Sequence, residues 1–136
     1  MTESHLRRLS VTMRLLEDAL QEVTTSLVDP TELIMTTFEQ DVPPTAWPEI
    51  LSDARRLREE IRVVRGFYHL EPQVISNRRR FNAKLSLLSI DLTEATSKYL
   101  RAYGEVPEPE RRGLDDQIEK MIAMVENLSN LVNRSN

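Results

Sequence analysis

Four stretches of the chain carry apolar residues at alternating spacings of three and four, which is the spacing of one face of an α-helix. The first stripe is Leu6, Leu9, Met13, Leu16, Leu20, Val23 and Leu27. The second is Trp47, Ile50, Ala54, Leu57, Ile61, Val64 and Tyr68. Stripes this narrow form the seam of a helical bundle or coiled coil. They predict long helices at about 4–28 and 46–68.

The second half of the chain repeats the pattern. Its first stripe is Val74, Arg78, Phe81, Leu85, Leu88, Leu92, Ala95, Tyr99 and Ala102. Its second is Leu114, Ile118, Met121, Val125, Leu128 and Val132. They predict helices at about 73–103 and 108–133. Arg78 interrupts an apolar stripe, so it either extends to water at the helix end or pairs with a carboxylate such as Glu71 or Glu60.

The connections between the stripes are short and marked by proline. The stretch Asp29-Pro30-Thr31-Glu32 has the residues of a helix start, with a capping aspartate, a proline and a glutamate in the first turn. It predicts a short helix at about 30–40, before Pro43-Pro44. An extended coiled-coil rod is the alternative, which the proline breaks disfavour. We therefore expect an all-α, antiparallel up-down-up-down four-helix bundle with an additional short helix between helices 1 and 2, as a single domain spanning 1–136.

The amino-acid composition excludes several kinds of functional site. The chain has no cysteine, which excludes disulfides, thiolate zinc sites and cysteine nucleophiles. Its N-terminal residues are polar, and no apolar run approaches the roughly 20 residues that span a bilayer. We found no glycine-rich phosphate loop and no metal-ligand motif. The sequence predicts a soluble cytoplasmic protein with no membrane association, no cofactor, no metal and no catalytic residues.

One pair of residues resembles an enzyme signature. Arg62 and His69 are separated by six residues, within the spacing of the Arg-x(4–6)-His pattern of the HEPN ribonucleases, which are themselves helical bundles. The polar residue that usually follows the arginine in that family is Val63 here. The resemblance implies a helical-bundle nuclease as the third hypothesis for function.

Basic residues are concentrated in one segment, although the net charge of the chain is −4. Residues 55–84 hold nine basic and three acidic residues, a local charge of +6. Arginine is well suited to binding phosphate and carboxylate groups. The sequence offers these candidate ligands for an anion, a phosphorylated ligand or nucleic acid: Arg55, Arg58, Arg62, Arg65, Arg79, Arg80 and Lys84. The alternative is that the acidic first and fourth helices of the same chain neutralise them, or that they are simply solvated.

Several apolar residues lie off the predicted seams. On the last two helices they are Leu87, Ile90, Met124 and Leu131. Large apolar groups exposed together mark interaction sites, so these four are the candidate oligomer or partner interface. The alternative is that the short helix at 30–40 packs over part of this surface. The leading hypothesis is a non-catalytic protein–protein interaction module, a scaffold, adaptor or regulatory subunit that self-associates. Binding of an anionic ligand or nucleic acid through the arginine-rich hairpin end is the second.

Overall fold

A computed structural model describes residues 1–135, and within that range it consists of helices and connecting segments, with no strand. The helices are α1 (Glu3–Val28), α2 (Trp47–Tyr68), α3 (Asn77–Glu94), α4 (Ser97–Leu100) and α5 (Glu108–Val132), with 3₁₀ turns at Pro44–Ala46 and Arg101–Tyr103. The all-helical prediction is confirmed. The chain divides into two compact units, Met1–Pro72 and the part that begins at Gln73, and each is described by itself.

The first unit is an antiparallel hairpin of α1 and α2. Thr2 begins α1 with a capping box in which its hydroxyl accepts a hydrogen bond from the His5 backbone N–H, while His5 Nδ1 accepts one from the Thr2 backbone N–H. His5 thus takes the position usually held by Glu or Gln. Leu20 of α1 and Ala54 of α2 are the buried residues of this hairpin. The observed helix bounds agree with the stripes to within one residue.

The C-terminus of α2 is formed by His69 in the left-handed conformation, at φ 53° and ψ 44°. This is the usual way for a helix to end, although glycine is the commoner residue there. The backbone N–H groups of His69 and Leu70 both donate to the Arg65 carbonyl. The nearby Gly66 remains inside the helix, so the glycine in the sequence does not mark its end.

The predicted short helix at 30–40 is wrong. Residues 29–43, here called the strap, contain no helix. Asp29, which the sequence suggested would begin a new helix, instead ends α1, and its backbone N–H donates to the Thr25 carbonyl at 2.9 Å. A helix this short needs tertiary packing to be stable. The strap offers little, since Ile34 and Met35 are 100% and 92% exposed.

The second unit is an antiparallel hairpin of α3 and α5, with Ile118 as its most deeply buried residue. The predicted continuous helix at 73–103 is wrong at both ends. The Ser76 hydroxyl caps α3 by accepting from the Arg79 backbone N–H, so the helix begins at Asn77. It ends at Glu94, where Thr93 and Thr96 hydroxyls donate to backbone carbonyls of the preceding turn. Such bonds compete with helical geometry.

Within the described range 1–135, none of the helices is long and apolar enough to cross a bilayer.

Candidate interaction surfaces

The seam between α3 and α5 differs from the predicted stripe by one position in several places. The partly or fully buried positions of α3 within the hairpin are Asn82, Leu85, Ser89 and Leu92. Those of α5 are Leu114, Asp115, Ile118, Ile122, Val125, Ser129 and Val132. Both rows keep the alternating three-and-four spacing. Small and polar residues therefore occupy seam positions where the sequence pattern predicted large apolar ones.

Several large apolar residues immediately precede seam residues and are left half exposed, among them Phe81, Leu88, Met121 and Leu128. A residue one position before a seam residue is rotated from it by about 100° around the helix axis, and the direction of this rotation is the same in every right-handed helix. In two antiparallel right-handed helices that rotation turns both residues toward the same side of the pair. The four residues therefore share one side of the α3/α5 hairpin.

Met124 and Leu131 extend this surface along α5, because they lie three residues after Met121 and Leu128. The complete set, here called the α3/α5 apolar face, is Phe81, Leu88, Met121, Met124, Leu128 and Leu131. Its members are between 40% and 60% exposed. Soluble chains rarely leave so many neighbouring apolar side chains open to water.

The structure divides the four residues predicted as an interface. It places Met124 and Leu131 on the α3/α5 apolar face. Leu87 and Ile90 lie more than a quarter turn away around α3, on its outer side, where they are 63% and 55% exposed. Sequence reasoning missed Phe81, Leu88, Met121 and Leu128 because it assigned them to the seam. The adjacent apolar pair Met121-Ile122 was the available signal that α5 has a second apolar row.

The first unit repeats this arrangement on a smaller scale. Val23 and Leu57 each precede a partly buried residue, Thr24 and Arg58, and each is 43% exposed. By the same geometry they lie on one side of the α1/α2 hairpin. The opposite side is polar: a groove of about 280 Å³ is lined by Glu17, Asp18, Gln21, Arg58 and Arg62.

Arg78 is exposed near the start of α3, as the first of the two alternatives expected, and it is also held by the end of α5. Its Nε donates to the Val132 carbonyl at 3.2 Å and its Nη2 to the Arg134 carbonyl at 3.3 Å. A cation at a helix C-terminus is favourable because the free carbonyls there carry partial negative charge. One turn along α3, the side-chain amides of Asn82 and Asn133 exchange two hydrogen bonds of 2.9 Å. These contacts fix the register of the hairpin.

The other end of the hairpin is joined by Asp115. Its Oδ1 accepts from the Ser97 backbone N–H at 2.7 Å, and its Oδ2 accepts from the Ser97 hydroxyl at 2.6 Å. Asp115 on α5 thereby caps the first turn of α4, which has no cap from its own Thr96 side chain. Hydrogen bonds from the Ser97 hydroxyl and the Ser97 backbone N–H hold the pKa of Asp115 below the ordinary value of 3.8, against an opposing effect of burial and with a lesser contribution from the Arg111 charge.

The low pKa of Asp115 predicts a pH dependence. Because the folded pKa is depressed, the carboxylate stabilises the fold fully above pH 3.8 and loses this effect as the pH falls through the folded pKa. We expect Asp115→Asn to lower the free energy of unfolding at pH 7. Below about pH 3.8 the free energies of unfolding of the variant and the wild type should become closer. Urea unfolding followed by circular dichroism between pH 2.5 and 7 measures this. Asp116→Asn is the control, and an equal pH-dependent effect there would contradict the role of Asp115.

The candidate anion-binding residues are distributed over both units. In the first unit Arg58 donates to the Gln21 side chain of α1 and Arg62 pairs with Glu59. Arg55 and Arg65 are exposed on the same helix. In the second unit Arg79, Arg80 and Lys84 are exposed near the start of α3, and the Arg80 guanidinium lies 5.3 Å from the centre of the Phe81 ring. The contact with Glu59 favours internal neutralisation of Arg62, whereas Arg58 donates to a neutral amide, which does not neutralise its charge.

The residues that resemble the nuclease signature are two helical turns apart on the first unit. Arg62 lies in the middle of the C-terminal half of α2, and His69 is the residue that ends this helix. The Arg62 guanidinium is engaged with the Glu59 carboxylate one turn earlier.

No protein-family model, curated protein sequence or solved structure matches the chain.

Proposed function

We propose that the protein is a non-catalytic interaction module that self-associates through the α3/α5 apolar face. The observation that carries the proposal is the grouping of six large apolar side chains, each 40–60% exposed, on one side of one hairpin. Removing such groups from water contributes roughly 25 cal/mol per Å². A second copy is the occupant that we favour.

The size of the face fits a modest dimer interface. If each side chain has roughly 150–200 Å² of surface, of which about half is exposed, the face would bury about 500 Å² per copy. Two copies together reach the roughly 1,000 Å² that a specific interface needs. Pairing two such hairpins produces an antiparallel four-helix bundle, the architecture that the apolar stripes predict.

Charges beside the face are self-complementary. Lys84 and Asp91 lie seven residues apart on the edge of the face, on opposite sides of Leu88. Two-fold symmetry places the same surface of both copies against each other in reverse direction. A two-fold axis near Leu88 would bring Lys84 of one copy toward Asp91 of the other, at both ends of the interface. The pairing of two identical faces would then bring opposite charges together, which adds attraction instead of repulsion.

The test is the molar mass in solution, measured by light scattering and sedimentation at 5–100 µM, concentrations of roughly the micromolar Kd expected for a small interface. We expect the wild type to approach twice the chain mass of 15.8 kDa. Leu128→Lys should leave a monomer with unchanged helix content, since Leu128 is already half exposed. Leu87→Lys, on the outer side of α3, is the matched control and should remain a dimer.

Two results would contradict the proposal. A wild-type chain that stays monomeric at 100 µM, a high concentration for a specific dimer, would favour the bundle of four helices from one chain. Equal dissociation by Leu87→Lys and Leu128→Lys would show that self-association is not specific to the α3/α5 apolar face.

A further inference from the structure

The first unit contains a cavity that the α3/α5 apolar face does not involve. It lies between the strap and the ends of α1 and α2 that the strap connects, with a volume of about 670 Å³. Its apolar wall includes Leu27, Leu33, Phe38 and Trp47. Cavities of roughly 300–1,000 Å³ with mainly apolar walls are typical of sites for small molecules.

The cavity is held open by contacts at both ends of the strap. The Trp47 indole N–H donates to the Val42 carbonyl at 3.0 Å, and the Ala46 backbone N–H donates to the Pro43 carbonyl at 2.9 Å. Pro43 and Pro44 restrict the backbone at this end. At the other end, Asp29 is fixed as the cap of α1. Trp47 is therefore a positioned part of the wall.

The charge of the lining has a single sign. Asp29, Glu32, Glu39 and Asp41 line the cavity, and none of these carboxylates forms an ion pair within residues 1–135. No Lys, Arg or His occurs between Arg14 and Arg55. A cleft lined by one sign of charge concentrates counter-ions. Five Ser and Thr hydroxyl groups in the lining add hydrogen-bond acceptors.

We propose that this cavity binds a small organic cation with an apolar body, of the class of aryl or alkyl ammonium ions. Phe38 and Trp47 would contact the apolar body and attract the positive charge through their ring faces. The unpaired carboxylates supply the remaining attraction and disfavour anions of the same shape. The combination of aromatic wall, apolar wall and unpaired carboxylates selects this class over neutral or anionic ligands.

Trp47 makes the proposal directly testable, because it is the one tryptophan of the chain. The full-length protein is titrated with three ligands of similar body and different charge: benzyltrimethylammonium, benzyl alcohol and phenylmethanesulfonate. We expect a saturable change in Trp47 fluorescence with the cation. The affinity for the cation should be at least tenfold higher than the affinity for the other two ligands. It should fall several-fold in 0.5 M salt, where exposed charges are screened.

Two double variants with the same change in net charge separate the cavity from the general field of the protein. The double variant Glu39→Gln with Asp41→Asn removes two carboxylates from the lining of the cavity. It should lower the affinity for the cation at least fivefold. Glu22→Gln with Glu49→Gln removes two carboxylates outside the lining and should change its affinity less than twofold. The proposal is overturned by the lack of a saturable response to the cation, by equal affinity for the anion, or by equal losses in both double variants. Binding to Leu128→Lys should be unchanged, which separates this result from the self-association.

Discussion

Substituting alanine for Ile118 is expected to destabilise the α3/α5 hairpin by about 2–3 kcal/mol. Ile118 is the most deeply buried residue of the second unit, at 9% exposure. The substitution removes three carbon atoms from the seam and leaves a space that α3 can fill only in part. Alanine has the highest helix propensity, so the loss comes from packing and not from the helix itself. Chemical unfolding followed by circular dichroism at 222 nm measures the change.

Leu87→Ala is the matched control for Ile118→Ala. It removes the same number of carbon atoms from a position that is 63% exposed, and it should change the free energy of unfolding by less than about 0.5 kcal/mol. A loss at Leu87 as large as the loss at Ile118 would show that Leu87 is covered in solution. That result would contradict the seam described here and, with it, the location of the α3/α5 apolar face.

Three of the four long helices could be predicted from sequence because their determinants are local. The stripe of α1 is regular over its whole length, and Thr2 is a good capping residue directly before it. The helices α2 and α5 each have a proline in the first turn, where a proline is well tolerated. The periodicity and the signals for helix ends agree at these positions, so the observed helix bounds are close to the predicted ones.

The wrong predictions for the strap and for the end of the third stripe concern segments whose structure depends in part on contacts distant in sequence. The strap carries the signals of a helix start, but no neighbouring surface covers Ile34 and Met35. The third stripe continues past Glu94, yet Asp115 of α5 binds Ser97 and caps a separate short helix there. A capping residue that lies 18 positions away leaves no mark in the local pattern.

The candidate surfaces were only partly predictable for a related reason. On α5 each of Met121-Ile122, Met124-Val125 and Leu131-Val132 is an adjacent apolar pair, so hydrophobicity does not decide which row faces α3. The structure selects the row that contains Ser129, and the seam row of α3 also contains a small residue, Ser89. Small residues let two helices approach closely, and the larger residues are thereby left to form the α3/α5 apolar face.

Arg78→Ala is expected to lower the free energy of unfolding of the second unit by about 1–2 kcal/mol, because two hydrogen bonds from a charged group to helix-terminal carbonyls are lost. The Val132 and Arg134 carbonyls would be left to water. The effect should be local, so hydrogen exchange in the last turn of α5 should accelerate more than exchange near Ile118. Mass spectrometry of peptides that cover residues 126–135 reports this difference.

Two further variants determine whether the geometry of Arg78 matters or only its charge. Arg78→Lys keeps the charge but has a single amine in place of the guanidinium fork, and it should recover less than half of the loss. Arg79→Ala removes an exposed arginine one position along α3 and should leave exchange in α5 unchanged. Full recovery by lysine would assign the effect to the helix-terminal charge alone. Equal effects of Arg78→Ala and Arg79→Ala would exclude Arg78 as the residue that holds the end of α5 against the start of α3.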